Sequence, residues 1–388
     1  MNYLVISPYY PQNFQQFTIE LANKGITVLG IGQEPYEQLD EPLRNSLTEY
    51  FRVENMEDLD EVKRAAAFLF YKHGPIDRIE SHNEYWLELD AALREQFNVF
   101  GAKPKDLKKT KFKSEMKKLF KKAGVPVVPG AVVKTQKDID KAVKKIGLPL
   151  IAKPDNGVGA AATFKLETPE DVDHFKAEWD GHTEYFFEKF VTSSEICTFD
   201  GLVDRDGNIV FSTTFDYAYT PLDLMLYKMD NSYYVLKEMD PKLRQYGEAI
   251  VKAFGMKERF FHIEFFRDGD DYIAIEYNNR PAGGFTIDVY NYAHSIDLYR
   301  GYAAIVAGEP FPASVFEPLY CLATSRRANA TYVLSEEEVL DKYSDQFRVK
   351  KDMPAAFAEL QGDYLYMLTT PSREELEQMI HDFGQRQS

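Results

Sequence analysis

The chain has 388 residues, with 46 Lys+Arg against 62 Asp+Glu and a formal net charge of −16 at pH 7. Non-specific binding to DNA, RNA or an anionic membrane surface depends on a field of Lys and Arg, so this balance argues against nucleic-acid and membrane partners. At 44% hydrophobic and 14% aromatic residues, the composition is that of a globular protein with apolar material for more than one core.

The opening MNYLVISPYYPQNF has neither the basic start nor the long apolar core of a secretory signal, and a cytoplasmic protein is expected. No run approaches the roughly 20 apolar residues of a membrane-spanning helix, because IGLPLIAKP and YAAIVAGEPFP are both cut short by proline or charge. Cys197 and Cys321 lie in the strand-like contexts EICTF and LYCLAT and read as small core residues, not as a disulfide or metal ligands.

Residues 1–104 alternate period-2 apolar runs with helical patterns: strands in YLVIS, ITVLGIG, DRIES and NVFG, and helices over 13–24, 58–73 and 84–96. This βαβαβαβ rhythm predicts a Rossmann-like parallel sheet covered by helices. The turn SPYYPQNF after the first strand lacks the G-x-G-x-x-G of a dinucleotide site. Ligands of open α/β sheets bind beyond the carboxyl ends of the strands, which makes Ser7 to Tyr10 and Ser81 to Glu84 candidate substrate loops; plain turns are the alternative.

Between Lys103 and Lys122 runs a basic amphipathic segment, closed by Gly124 and followed by the strand VPVVPGAVV. The pattern then becomes mixed: helix 136–146, strand PLIAKP, a small-residue loop, strand TFKLE, helix 169–179, strand YFFEKFV, and strands EICTFDGLV and NIVFSTTF about the turn Asp206-Gly207. A helix over 240–254 precedes a hairpin of RFFHIEFF and DYIAIEYN, and one helix is expected over 288–307. Residues 311–388 read as a small α+β tail with strands in LYCLATS and YLYMLTT and helices near 335–341 and 372–383.

The hairpin is the most informative stretch. On its first strand His262, Glu264 and Phe266 share a face; on its second Ala274, Glu276 and Asn278 share one, and the odd-numbered face is expected in the core. A loop centred on Asp270 sets Glu264 directly across from Glu276, where like charges are destabilising unless something positive lies between them. With the amide oxygen of Asn278 these are hard donors suited to Mg²⁺ or Mn²⁺, an ion that completes its shell with substrate phosphates and water. Two solvated glutamates on an exposed face are the alternative.

Arg280 projects toward the same place and could clamp a phosphoryl group or an acyl-phosphate; a surface arginine is the bland reading. In AKPDNGVGAAAT the backbone around Gly157 and Gly159 can approach phosphate oxygens closely, with Lys153 supplying a charge. A tight turn explains those glycines nearly as well, and no G-K-[ST] follows, so this is not a Walker A loop.

Over residues 105–310 these features resemble, in order, the ATP-grasp superfamily of carboxylate-activating ligases, which includes biotin carboxylase, the D-alanine ligases and the amino-acid ligases. Lys113, followed by Met116-Lys117 and Ala123-Gly124-Val125-Pro126, is similar to the family's first nucleotide lysine; Lys111 is a rival because Phe112 stands where an acidic residue is usual. Lys153 matches the second phosphate lysine and Asp155 to Thr163 the glycine-rich loop, with Ala160 to Ala162 where Ser, Lys or Arg often occur. Glu188-Lys189-Phe190-Val191 resembles the hinge whose second and fourth backbone groups read adenine, and Glu195 falls where the family places a ribose-binding carboxylate. Glu264 with Glu276, Asn278 and Arg280 is similar to the two-metal signature.

The resemblance implies an α/β and α+β architecture: a Rossmann-like domain over 1–104, an ATP-grasp domain over 105–310 and a small C-terminal α+β subdomain over 311–388. Within the ATP-grasp domain, 105–192 holds the lid with the glycine-rich loop and 193–310 the metal-binding part. It also implies a chemistry using ATP and Mg²⁺ (or Mn²⁺). The γ-phosphoryl passes to a substrate carboxylate with Lys153 and Arg280 as catalytic groups, and an amine, from an amino acid or a similar small molecule, attacks the acyl-phosphate. A bicarbonate-using carboxylase or carbamoyl-phosphate type enzyme, and a nucleotide-binding regulatory module without turnover, are the alternatives.

Weaker candidates remain open. His262 shares the metal-side face as a ligand or as a hydrogen-bonded neighbour. Tyr217, Tyr219, Asp223 and Met225 line a pocket or pack on a loop. Pro281-Ala282-Gly283-Gly284 offers N–H groups to an anion or makes a plain turn, and Arg326-Arg327 could reach an acidic substrate. A homodimer is expected only as the commonest soluble assembly.

Overall fold

The protein is described by a computed structural model that covers residues 1–156, 162–193, 195–219, 229–354, 358 and 361–387. Short apolar runs at Asn2–Ile6 (β1), Thr27–Gly32 (β2), Glu49–Arg52 (β3) and Arg78–Glu80 (β4) pair in parallel in the order β3-β2-β1-β4. Helices Gln15–Asn23 (α1), Glu41–Ser46 (α2) and Leu59–His73 (α3) connect them, and Leu87–Gln96 (α4) follows. The expected Rossmann-like parallel sheet is present, with two corrections. Its edge strand β3 has too little apolar alternation to be read from sequence, since none of its four residues is buried. NVFG is irregular chain, because Asn98 takes φ +52 and breaks the extended run, while Val99 packs into the core as a loop residue.

The basic segment is two helices, Pro104–Lys111 (α5) and Lys113–Lys122 (α6). They are parted at Phe112, whose extended backbone bridges to Asn156. An antiparallel sheet of order β5-β8-β6-β7 follows, built from Gly130–Val133 (β5), Leu150–Pro154 (β6), Phe164–Leu166 (β7) and Tyr185–Lys189 (β8). Ile139 and Ala142 of helix Gln136–Ile146 (α7), and Val172 and Phe175 of helix Pro169–Glu178 (α8), close its core.

The largest sheet is antiparallel and nine-stranded: Ile196–Val203 (β9), Ile209–Thr213 (β10), Phe215–Tyr217 (β11), Ser232–Val235 (β12), Arg259–Asp268 (β13), Asp271–Asn278 (β14), Tyr320–Arg326 (β15), Phe347–Asp352 (β16) and Tyr364–Thr370 (β17). Its order is β14-β13-β9-β11-β12-β15-β17-β16, with β10 on β9. The strands beyond residue 310 therefore extend this sheet and do not form a layer of their own. Helix Pro241–Phe254 (α9) packs Leu243, Ile250 and Phe254 on the β9-β13-β14 face together with Met116 and Phe120 of α6. The single helix expected over 288–307 is two, Thr286–His294 (α10) and Leu298–Val306 (α11). Ser295 turns left-handed at φ +50, and the Asp297 side chain caps the second helix. Helices Glu336–Lys342 (α12) and Arg373–Gly384 (α13) complete the chain. Cys197 and Cys321 are free and buried, as expected of core residues.

Buried ion pairs tie the first sheet to the third. Arg78 pairs with Glu258, and Glu80 accepts from Arg94 at 3.0 Å and from Arg259 at 2.8 Å. These bonds hold the carboxyl end of β4 against β13, so loops from both sheets meet. Among the described residues no helix is long and apolar enough to cross a membrane.

Candidate active site

The hairpin places Glu264 directly across from Glu276, and a β-bulge is what does so. Its turn is the two-residue Gly269-Asp270, since Asp268 pairs with Asp271. A regular ladder from that turn would set Glu264 against Ile275. One extra residue on β14, between the pairs Phe265–Ala274 and Glu264–Glu276, moves the register on by one. The bulge also corrects the expected alternation: Tyr272 and Ala274 join Tyr277 in the core, while Ile273 and Ile275 are only half-buried.

Around this pair the charges are matched from four elements. Lys113 is the first residue of α6, buried, with Nζ 3.4 Å from Glu276 Oε1. Its position follows from Asp155 at the end of β6, whose carboxylate accepts from the Ser114 N–H at 2.8 Å and the Ser114 hydroxyl at 2.6 Å and so anchors the helix start. Lys111 points elsewhere, to Glu88 at 2.7 Å. Glu264 accepts from Tyr217 at 3.4 Å and lies 3.5 Å from His262 Nε2. His262 Nδ1 donates to the Asp200 carboxylate at 2.6 Å, and Asp200 also accepts from the Tyr290 hydroxyl at 2.7 Å. Burial alone would depress the His262 imidazolium, but the Asp200 carboxylate outweighs it and the pKa rises to about 9. His262 is thus the hydrogen-bonded neighbour of the two readings. Asn278 lies across from His262 on the same strand end.

Beside them lies a buried cluster of two lysines and one glutamate. Glu188, on β8, pairs with Lys153 at the end of β6 and with Lys117 of α6 at 3.2 Å. Lys117 also donates to the Ala274 carbonyl at 3.1 Å, which ties the cluster to the bulged strand. Burial would raise the Glu188 carboxyl, yet the two ammonium groups hold it at about 2. Lys117 is lowered by its burial, whereas Lys153 is raised because Glu188 outweighs the same penalty. Lys153 also feels the charges of Glu276 and Glu264. Sequence reasoning named Lys117 without a role. Its spacing, one turn after Lys113 on the face that carries Met116 and Phe120, was the available signal.

The remaining candidates divide. Lys189 sends its side chain to the Leu148 carbonyl at 3.1 Å and its N–H to Pro129 at 3.0 Å. Val191 is half-buried just past β8, and no backbone hydrogen bond engages its N–H among the described residues. Glu195 is exposed and pairs with Arg267 at 3.4 Å. Gly157, Gly159, Asp223 and Met225 lie outside the described residues. Arg326 donates to the carbonyls of Leu334, Asp382 and Phe383 and serves the tail's own packing. Arg327 lies 3.7 Å from Asp230, just before β12, and so ties the tail to the central part of the sheet.

Arg280 donates Nε to Glu84 at 2.9 Å and one terminal nitrogen to the Pro281 carbonyl at 2.8 Å. Both side chains edge a cavity of about 560 Å³ that gathers the loops after β1 and β4 with Pro281 and Gly283. The two candidate substrate loops thus meet the end of the metal-signature strand. Each loop carries a non-glycine residue in the left-handed region at or next to its start, Ser7 at φ +53 and His82 at φ +57, a strain that clusters at functional sites.

The donor set of Glu264, Glu276 and Asn278 fits a hard divalent cation, because two cross-strand carboxylates and an amide oxygen converge there. Among the described residues no group of three His, Cys, Asp or Glu is arranged to hold a metal, so the rest of such an ion's shell falls to phosphate and water.

The ATP-grasp domain family matches residues 146–288. The chain is 26% identical over 267 residues to the L-arginine-specific L-amino acid ligase of Bacillus subtilis, covering 64% of this chain and 64%, less than two thirds, of that enzyme's length. The crystal structure of L-amino acid ligase from Bacillus licheniformis superposes with a TM-score of 0.71 at 14% identity, over 98% of this chain and 97% of that one. The biotin carboxylase domain dimer of Hydrogenobacter thermophilus 2-oxoglutarate carboxylase, solved with MgADP and bicarbonate, does so at 0.71 and 17% identity, over 99% and 90%. At those identities the structures speak to fold alone. Residues 146–288 thus match an ATP-grasp domain, and the chain as a whole shares the fold of these solved structures.

Proposed function

We propose that the protein is a cytoplasmic ATP-dependent carboxylate-amine ligase that releases ADP and phosphate. The observation that carries this reading is the convergence of Glu264, Glu276, Lys113 and Lys153, with Arg280 acting electrostatically on Glu264 from the rim of the substrate-sized cavity. In the reaction the γ-phosphorus of ATP bonds to a carboxylate oxygen as its bond to ADP breaks. The amine nitrogen then bonds to the acyl carbon, the phosphate departs with its oxygen, and the amine loses a proton.

No protein nucleophile is needed; positioning and charge stabilisation supply the rate. Lys113 and Lys153 neutralise phosphate charge, and Arg280 orients the carboxylate and offsets the charge that builds on the transferring group. Glu188 and Lys117 hold Lys153 in place. The Lys189 carbonyl and the Val191 N–H read adenine, Gly157 and Gly159 cover the phosphates, and Glu195 turns from Arg267 to the ribose. Glu264, Glu276 and Asn278 would hold Mg²⁺ or Mn²⁺, which bound with nucleotide supplies further neutralisation of the phosphates. Residues 1–104 supply substrate loops, 105–310 the nucleotide site and 311–388 the far side of the shared sheet; a homodimer is the proposed assembly.

The test is ADP release by the full chain with ATP and Mg²⁺, once with pooled amino acids and once with bicarbonate. Amino-acid-dependent release supports the ligase. Release with bicarbonate alone supports a carboxylase, and tight ATP binding without turnover in either arm supports a regulatory module.

A further inference from the structure

The cavity beside Arg280 has a composition that selects among carboxylates. Its walls carry five aromatic side chains, Tyr9, Tyr10 and Phe14 from the loop after β1 and Tyr85 and Trp86 from the loop after β4. Tyr85 is two-thirds exposed, with its hydroxyl donated to Glu57, so its ring lies open at the cavity edge. Among the described residues lining the cavity the charged side chains are Glu84 and Arg280, bonded to each other. His82 adds no charge: burial takes its pKa down to about 4, and its Nε2 has no hydrogen-bond partner among the described residues.

We propose that this cavity binds the acid substrate and that the substrate is a zwitterionic α-amino acid with an aromatic or bulky apolar side chain. The inference rests on the ligase reading and names the acid that it activates. Arg280 presents a terminal nitrogen that no described residue engages, and an α-carboxylate meets it there as a charge-assisted hydrogen bond. Glu84, one carboxylate beside that guanidinium, receives the α-ammonium. The Arg280–Glu84 pair is neutral as a unit, so a neutral zwitterion enters without burying net charge, whereas a simple monocarboxylate would add a negative charge next to Glu84.

The same count argues against other acids. A cationic side chain such as that of arginine finds rings and, among the lining residues, no second carboxylate, since Glu57 stands behind Tyr85 and is engaged by its hydroxyl. A sugar phosphate or nucleotide would need more cations than Arg280 alone. Rings of Tyr and Trp offer large rigid area to an apolar or aromatic side chain at small cost in conformational freedom.

The experiment uses the full chain with ATP, Mg²⁺ and hydroxylamine as a common amine, so that any activated acid is trapped as its hydroxamate. L-Phenylalanine, L-tyrosine, L-tryptophan and L-leucine are expected to give product, with kcat/KM about tenfold or more above L-arginine, L-aspartate, glycine and 3-phenylpropionate. Glu84→Gln is expected to raise KM for phenylalanine about ten- to hundredfold and to lower KM for 3-phenylpropionate, because the former loses the partner of its ammonium while the latter no longer meets a like charge. Tyr85→Ala, at an exposed position that the fold tolerates, raises KM for phenylalanine and leaves KM for ATP as it was. Preference for arginine, aspartate or glycine, or parity between phenylalanine and 3-phenylpropionate, overturns this inference while the ligase reading stands. ADP release with no acid in the panel overturns both.

Discussion

Glu264 faces Glu276 across the β13–β14 ladder, and Ile275, the extra residue of the bulge, is what aligns them. Two carboxylates held directly opposite repel each other, and the fold offsets that repulsion with Lys113 beside Glu276 and His262 beside Glu264.

Glu276→Gln removes that repulsion and one hard donor together. Turnover is expected to fall at least about a hundredfold, as when a group that stabilises transition-state charge is lost, with a melting temperature unchanged or slightly lowered, because the relief of repulsion is set against the lost pairing with Lys113. ADP release and thermal denaturation on one preparation check both halves; an active Glu276→Gln enzyme would refute the metal assignment.

Two lysines two residues apart separate cleanly in this structure. Lys113→Met is expected to weaken ATP binding, measured by calorimetry, by about tenfold or more, since its ammonium is buried beside Glu276. Lys111→Met loses a pair to a glutamate that is mostly exposed and is expected to bind ATP as the parent does. Equal effects would mean that the break at Phe112 does not select between them.

Glu188 gives the stability a pH signature. Its folded pKa of about 2 lies below the ordinary 4.5, so the unfolded chain takes up its proton first. The stabilisation is therefore fully present above pH 4.5 and is lost as the pH falls toward 2. Glu188→Gln leaves two buried ammonium groups without their carboxylate, at a cost of about 3 kcal/mol near neutrality. Urea unfolding of both proteins between pH 7 and 3 is the measurement, and the gap between them is expected to narrow with acid. A gap independent of pH would show that the carboxylate's charge is not what holds the cluster.

Arg280→Lys keeps the positive charge and loses the planar fork that bonds Glu84 and the Pro281 carbonyl at once. The expected result is a fall in kcat/KM for the acid substrate with the ATP dissociation constant unchanged. A matching loss of ATP affinity would move Arg280 from the acid to the nucleotide.

Cys197 and Cys321 should be silent. Both are buried, and burial pushes the Cys197 thiol up to about 12 and the Cys321 thiol up as well, which removes the reactive thiolate. Native protein is expected to react with a disulfide reagent only after denaturation, giving two thiols per chain; fast labelling of the folded enzyme would contradict their burial.

Much of this molecule was already written in short-range pattern. The helices over 58–73, 136–146 and 240–254 stand within a residue of their expected bounds, because caps such as Asp58 and Asp240 and an apolar stripe lie within a few residues of each other. The pairing of Glu264 with Glu276 was legible for the same reason. The turn is Gly269-Asp270 where a loop centred on Asp270 was expected, and the bulge at Ile275 makes up the difference. The half-exposed strand β3 and the split at Ser295 escaped, since neither leaves a periodic trace.

What the chain by itself determined is which residue types stand at which intervals: two acids and an amide on one hairpin, lysines before it and an arginine after it, small residues between strands. The tertiary structure alone decided that Lys113 and not Lys111 turns inward, that Lys117 and Lys153 share Glu188, and that Arg280 meets Glu84 from a loop 196 residues earlier. Periodicity reports how each segment sorts between water and core, a local matter. Which charges neutralise one another inside is settled only when separate sheets pack and the cost of burying each ion must be met by a neighbour from elsewhere in the chain.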